Sequence, residues 1–184
     1  RSGKRSGAWM NVASNRRRLP EGICEPMAWL ICNFQAPVGN RPALLTHDEV
    51  TTLFHEFGHG LHHVLTEMQE PRVSGLNGVE WDAVELPSQF LENFAWEWEI
   101  IQSMSAHYET QEPLPFELFK RMFDAKHFMM AMYLLRQLEF AIFDLELHQS
   151  NQSTDPGQIM GILDSIRHEL AVVPYPEWNR FPFA

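Results

Sequence analysis

The run Thr51-Thr52-Leu53-Phe54-His55-Glu56-Phe57-Gly58-His59-Gly60-Leu61-His62-His63-Val64-Leu65 has the period of an α-helix. Val50, Leu53, Phe54, Phe57, Leu61 and Leu65 recur at three- and four-residue steps, which predicts one apolar helix face. On that helix His55 and His59 stand one turn apart and point the same way. Two neutral imidazoles side by side hold one divalent ion, most often zinc, while Glu56 sits roughly 100° round the helix, close to the metal without having to bind it. H-E-x-x-H with the middle carboxylate as general base is the arrangement of a zinc hydrolase. A lone helical histidine is usually just a satisfied polar residue; the intervening Glu56 and the small Gly58 favour metal over that reading.

The helix should start at Thr46. Its hydroxyl is a good N-cap, Glu49 three residues on completes a capping box, and Asp48 and Glu49 suit the positive end of the helix dipole. It should run to about Met68, because Pro71 closes the pattern.

With 184 residues and 45% hydrophobic content, the chain can bury a core. A formal net charge of −10 argues against a nucleic-acid partner, and the short basic run Arg16-Arg17-Arg18 does not reverse that. No run of eighteen apolar residues and no apolar signal core after Arg1-Ser2-Gly3-Lys4-Arg5 is found, so neither a membrane span nor secretion is expected; the expected location is the cytoplasm. Cys24 and Cys32 would be roughly 26 Å apart in an extended chain, too far to bridge, and free thiols are expected. The abrupt polar start and the aromatic tail Trp178 to Ala184 read as the ends of an excised piece.

Strand signals are confined to the front. Gly7 to Val12 and Met27 to Phe34 are expected strands, the second either buried on both faces or paired with the first across the loop Asn15 to Pro26. After the helix, Ser74-Gly75-Leu76-Asn77-Gly78 reads as a turn; no Lys-Ser/Thr follows to make it a phosphate cradle. A second helix should begin at Asp82 or Leu86, with Pro87 in its first turns, and reach about His107. Further helices are expected over Phe116 to Asp124, Lys126 to Gln149 and Asp155 to about Val172. Met122, Met129, Met130 and Met132 are expected to pack in the core rather than to bind a soft metal. The expected fold is mainly α with a small β element: one partial domain over 1–184, a strand and loop element over 1–45 and helices over 46–184.

Catalytic zinc takes three protein ligands and keeps one open position. A third histidine six residues past His59 would fall at Leu65, which excludes that class of motif. The downstream carboxylates are Glu67, Glu70, Glu80, Glu85 and Glu92. Glu67 is on the same helix and cannot curl back, and Glu70 and Glu80 fall at or in the loop. Glu85, presented by an antiparallel helix pair, is preferred, although with Asp82 it also forms a capping pattern; Glu80 and Glu92 stay open. Glu92, two turns further along the same face, is a candidate to accept the outer N–H of a metal-bound histidine. A fourth ligand from His62 or His63 would close the site, but three ligands from one helix strain a tetrahedron.

The string His55 to His63, then Ser74-Gly75, then Trp81-Asp82-Ala83-Val84-Glu85-Leu86-Pro87-Ser88-Gln89-Phe90-Leu91-Glu92-Asn93 resembles the thimet oligopeptidase family of zinc metallopeptidases, its bacterial oligopeptidase A branch above all. Gly3-Lys4-Arg5, Gly7-Ala8-Trp9, Cys32-Asn33-Phe34 and Arg136-Gln137-Leu138-Glu139-Phe140 extend the likeness over the whole chain. The resemblance implies a zincin-like metallopeptidase catalytic core, part of a two-lobed helical body whose deep channel admits short peptides. It also implies one zinc per chain on His55, His59 and Glu85, with Glu56 as base in the hydrolysis of internal bonds of oligopeptides. The family's transition-state-stabilising tyrosines and a histidine belong to a later segment, and Tyr175 and His168 do not fit that pattern. The expectation is therefore a zinc endopeptidase core; the alternative is a folded zinc-binding piece without activity by itself, and a helical interaction domain is the more remote reading.

Overall fold

A computed structural model of the chain describes residues 7–149 and 155–176. The segment Gly3-Lys4-Arg5 and the tail from Trp178 lie outside the described residues. The chain divides into two compact units, Arg1–Phe119 and Lys120–Ala184.

The first unit opens with β1 (Ala8–Ser14), β2 (Arg17–Leu19), β3 (Gly22–Cys24) and β4 (Met27–Cys32). β1 and β4 pair antiparallel from Ala8↔Cys32 to Val12↔Ala28, with a register shift before Ser14↔Met27. The expected hairpin is there, but its loop folds into a ribbon of its own, β2 against β3. β4 is not buried on both faces: Trp29 is 60% exposed and Met27 56%. Along β4 only Ala28, Ile31 and Cys32 are partly covered.

Helix α1 (His47–Val64) begins as its capping chemistry predicts. Thr46 Oγ accepts from the Glu49 amide while the Glu49 carboxylate accepts from the Thr46 amide. It ends four residues earlier than the periodicity suggests: the Thr66 hydroxyl accepts the Met68 amide, a local turn that competes with the helix. Its buried residues are Glu56, Gly58, Gly60 and His63, not the expected apolar stripe, and Phe57 is exposed. Gly58 lets the backbone at the start of α2 come close and Gly60 makes room for the Leu30 side chain, so burial there follows shape rather than hydrophobicity. α1 packs mainly against α2 (Leu86–Glu92), and also against β4 and β1.

The expected single helix from Asp82 or Leu86 to His107 is three pieces. α2 starts at Leu86 with Pro87 in its first turn, where its missing N–H costs nothing. A 3-10 turn, Asn93–Trp96, follows, and then α3 (Trp98–Met104). The Asn93 amide donates to the Phe90 and Gln89 carbonyls, taking acceptors that a continuing helix would use. Trp98 stacks edge-on against Phe116 and lies against buried Phe119 at the start of α4 (Phe116–His127).

In the second unit, α5 (Met130–Gln149) and α6 (Pro156–Leu170) pack around Phe143, Leu163 and Ile166. α6 is capped by Asp155, whose carboxylate accepts the Gln158 amide. The long helix expected from Lys126 is interrupted because Met129 takes a left-handed backbone, φ 56°. Met129 and Met130, at this break, are exposed rather than packed in the core as expected. Buried Arg167 donates through Nε to Glu139 Oε1 at 2.8 Å, and Arg136 pairs with the same carboxylate. Burial opposes ionisation of Glu139, yet the bonds from Arg136 and Arg167 together hold its carboxyl below the ordinary value. No helix among the described residues is long and apolar enough to cross a membrane.

Candidate metal centre

α1 places His55 and His59 on one face, rings 4.9 Å apart at nearly right angles. What faces them comes from the turn before α2. Glu85 is the residue ahead of that helix, and it does not cap it: no side-chain cap bond is present, so the D-x-x-E capping pattern with Asp82 is not formed. Its carboxylate turns instead to the histidines, with Oε2 3.2 Å from His55 Nε2 and 3.2 Å from His59 Nε2. Donor atoms of all three residues lie within 4.8 Å of one another. Zinc at about 2.0–2.2 Å from N and O ligands makes tetrahedral edges of roughly 3.3–3.6 Å, and the two N–O separations of 3.2 Å come close to the short end of that range.

The backbone brings these groups together at one crossing. A Cβ at Gly58 would stand 2.6 Å from Ser88 Cα and 2.7 Å from the Pro87 carbonyl oxygen. Only glycine lets α1 approach the first turn of α2 so closely, and this approach sets Glu85 over the histidine pair. Glu92, at the end of α2, meets His55 from the other side, Oε1 2.6 Å from Nδ1. A carboxylate oxygen accepts, so in this contact His55 Nδ1 is the donor.

Glu56 is 5% exposed, and its Oε2 has no hydrogen-bond partner among the described residues. His62 lines a groove of about 640 Å3 with Leu61, Leu65 and Phe90 rather than joining the cluster. Burial first, then His59 and His63 beside it, push its imidazole below the usual value, so it is neutral near pH 7. His63 is fully buried and its Nε2–H donates to the Ser14 carbonyl at 2.9 Å, tying α1 to the end of β1. Gly75, with φ +65°, abuts that ring; a Cβ there would be 2.2 Å from His63 Nδ1. Glu67, Glu70 and Glu80 are not part of the cluster. Sequence reasoning did not find Ser88, whose hydroxyl is 2.8 Å from Glu85 Oε2. Its position three residues after Glu85 was the available signal.

The sequence profile of Peptidase family M3 matches residues 1–184. The chain belongs to this family. The M3 chain is 53% identical over 183 residues to oligopeptidase A of Haemophilus influenzae, covering 99% of this chain and 27% of that protein. It is 52% identical over 185 residues to oligopeptidase A of Escherichia coli, covering all of this chain and 27% of the relative. Saccharolysin of Saccharomyces cerevisiae is 41% identical over 123 residues, 67% of this chain and 17% of that protein. The chain thus spans about a quarter of the length of the oligopeptidase A relatives it matches. The mainly helical fold with a small sheet is that of an M3 peptidase fragment, in agreement with the resemblance drawn from the motifs.

Proposed function

We propose that this chain is the zinc-binding core of a metalloendopeptidase that hydrolyses internal bonds of short oligopeptides. The observation that carries the reading is Glu85 Oε2 placed at 3.2 Å from both His55 Nε2 and His59 Nε2. His55, His59 and Glu85 would hold one zinc per chain, with Glu92 fixing the His55 ring through Nδ1–H. When bound, zinc supplies a Lewis acid that acidifies water and polarises a carbonyl. Glu56 Oε2, buried and unpartnered, is the base: it takes the proton of water as the C–O bond forms at the peptide carbonyl and delivers it to the nitrogen as the C–N bond breaks. The relatives named oligopeptidase A support oligopeptides as the substrate class. On this reading residues 1–184 are part of one larger catalytic domain.

The test has two arms on the purified 184-residue chain. Zinc should bind at one per chain; no binding sinks the proposal. A fluorogenic oligopeptide should be cleaved weakly or not at all by this chain, because each missing oxyanion donor is worth about 10²–10³ in rate. Any cleavage above the blank should vanish with chelator and in Glu56→Gln, and that variant should still bind zinc. Turnover retained by Glu56→Gln would remove Glu56 from its role. Zinc binding with no cleavage at all is the result for a folded zinc-binding piece inactive by itself.

A further inference from the structure

Ser88 is fully buried at the crossing of α1 and α2, where its Cα is the nearest atom to the position a Gly58 Cβ would take. Its hydroxyl lies 2.8 Å from Glu85 Oε2 and 2.9 Å from the Glu85 carbonyl oxygen. One O–H proton has to serve one of these acceptors at a time. The carbonyl already accepts the Gln89 amide at 2.9 Å, the first helical bond of α2, and so is not left without a donor if the hydroxyl turns away. The carboxylate is charged, and bonds to ionised acceptors are about twice as strong as neutral ones. Both comparisons direct the proton to Oε2, the oxygen that faces His55 Nε2 and His59 Nε2.

From this we infer that Ser88 is a positioning residue for the metal centre: its hydroxyl locks the Glu85 carboxylate in the rotamer that presents Oε2 to the histidine pair. Glu85 needs such a lock. Its side chain is 48% exposed, while the histidines are held on a packed helix and His55 is further fixed by Glu92. A half-exposed glutamate samples several rotamers, and only those with Oε2 over the histidines bind an ion. Ser88 acts from inside the helix crossing, where it cannot itself be displaced without parting α1 from α2. The inference rests on the metal reading proposed above and adds to it the group that sets the third ligand.

Zinc affinity of the 184-residue chain, read by competition with a chromogenic chelator, tests this in wild type, Ser88→Ala, Glu85→Ala and the double variant. Ser88→Ala should weaken zinc binding about tenfold, within the 10–100-fold range of groups that orient metal ligands. In the Glu85→Ala background the same change should do nothing further, because a residue acting through Glu85 has nothing left to orient. An equal loss in both backgrounds, or no loss in either, overturns the inference while leaving zinc binding intact. Absence of zinc from wild type overturns the metal reading and this inference with it. A zinc-loaded crystal structure of the wild-type chain gives a second measurement independent of how Ser88→Ala folds. Ser88 Oγ should lie within hydrogen-bond distance of the zinc-bound Glu85 oxygen, and a hydroxyl turned away from a bound Glu85 refutes the assignment.

Discussion

Gly58→Ala tests whether the helix crossing builds the metal centre. The added Cβ would meet Ser88 Cα at 2.6 Å, the Pro87 carbonyl oxygen at 2.7 Å and the Ser88 amide nitrogen at 3.0 Å. All three are backbone atoms, so no change of rotamer relieves the overlap. Returning the shortest of them to an ordinary contact of 3.4 Å moves the start of α2 away from α1 by roughly 0.8 Å. Glu85 immediately precedes α2 and moves with it, whereas metal–ligand distances tolerate only about ±0.2 Å. Stability responds much less. Alanine is better than glycine inside a helix by about 0.8–1.0 kcal/mol, which offsets part of an overpacking cost of about 1–3 kcal/mol. The expected result is a metal-free chain destabilised by no more than about 2 kcal/mol, with zinc affinity lowered at least about tenfold. Chelator competition and thermal melting of the metal-free chain read the two quantities. Zinc affinity within twofold of wild type would refute the claim that this close approach holds Glu85 at the histidines.

Three further outcomes are expected. Glu92→Gln should lower zinc affinity about 10–100-fold with little change in the metal-free melt, because His55 Nδ1 loses a charged acceptor at 2.6 Å; unchanged affinity would show that Glu92 does not orient the ring. His63→Ala leaves the Ser14 carbonyl without its donor and opens a cavity in a fully buried site, so urea unfolding should show a loss of about 2–4 kcal/mol, and a loss below about 1 kcal/mol would count against the tie between α1 and β1. For Glu139 the folded carboxyl lies below its ordinary value of 4.5, so its contribution is fully present above about pH 4.5 and disappears as pH falls through the lower folded value. Glu139→Gln should therefore cost about 3–5 kcal/mol near neutrality, since Arg167 is left buried with a weaker acceptor, and should flatten the acid dependence of stability; an unchanged acid limb would exclude Glu139 as its source.

The features legible in the sequence are those set by residues close together along the chain. The Thr46–Glu49 capping box, the one-turn spacing of His55 and His59, the strand over β1 and the helix that opens at Asp155 all depend on local backbone geometry, and they appear where the residue pattern places them. Helix ends were less legible, because Thr66, Asn93 and Met129 redirect the backbone through bonds or dihedrals that apolar periodicity does not register. The buried face of α1 escapes apolar periodicity for a related reason: a glycine that makes room for a neighbour counts for nothing on a hydrophobic scale, yet Gly58 and Gly60 are among the residues that α1 buries.

Spacing alone left Glu80, Glu85 and Glu92 open as partners of the histidine pair, since nothing local ties residues 55 and 85. The resemblance to a known family chose Glu85, and the family membership stands on the profile match over residues 1–184. Only the tertiary structure brings these groups together. Gly58 against Ser88 puts two helices in backbone contact, the Ser88 hydroxyl lies 2.8 Å from Glu85 Oε2, and Glu92 Oε1 lies 2.6 Å from His55 Nδ1. By itself the sequence determined which helix carries His55, His59 and Glu56. The carboxylate that faces the histidines, Glu85, is brought there by a contact between segments thirty residues apart, and such a contact exists only once the chain has folded.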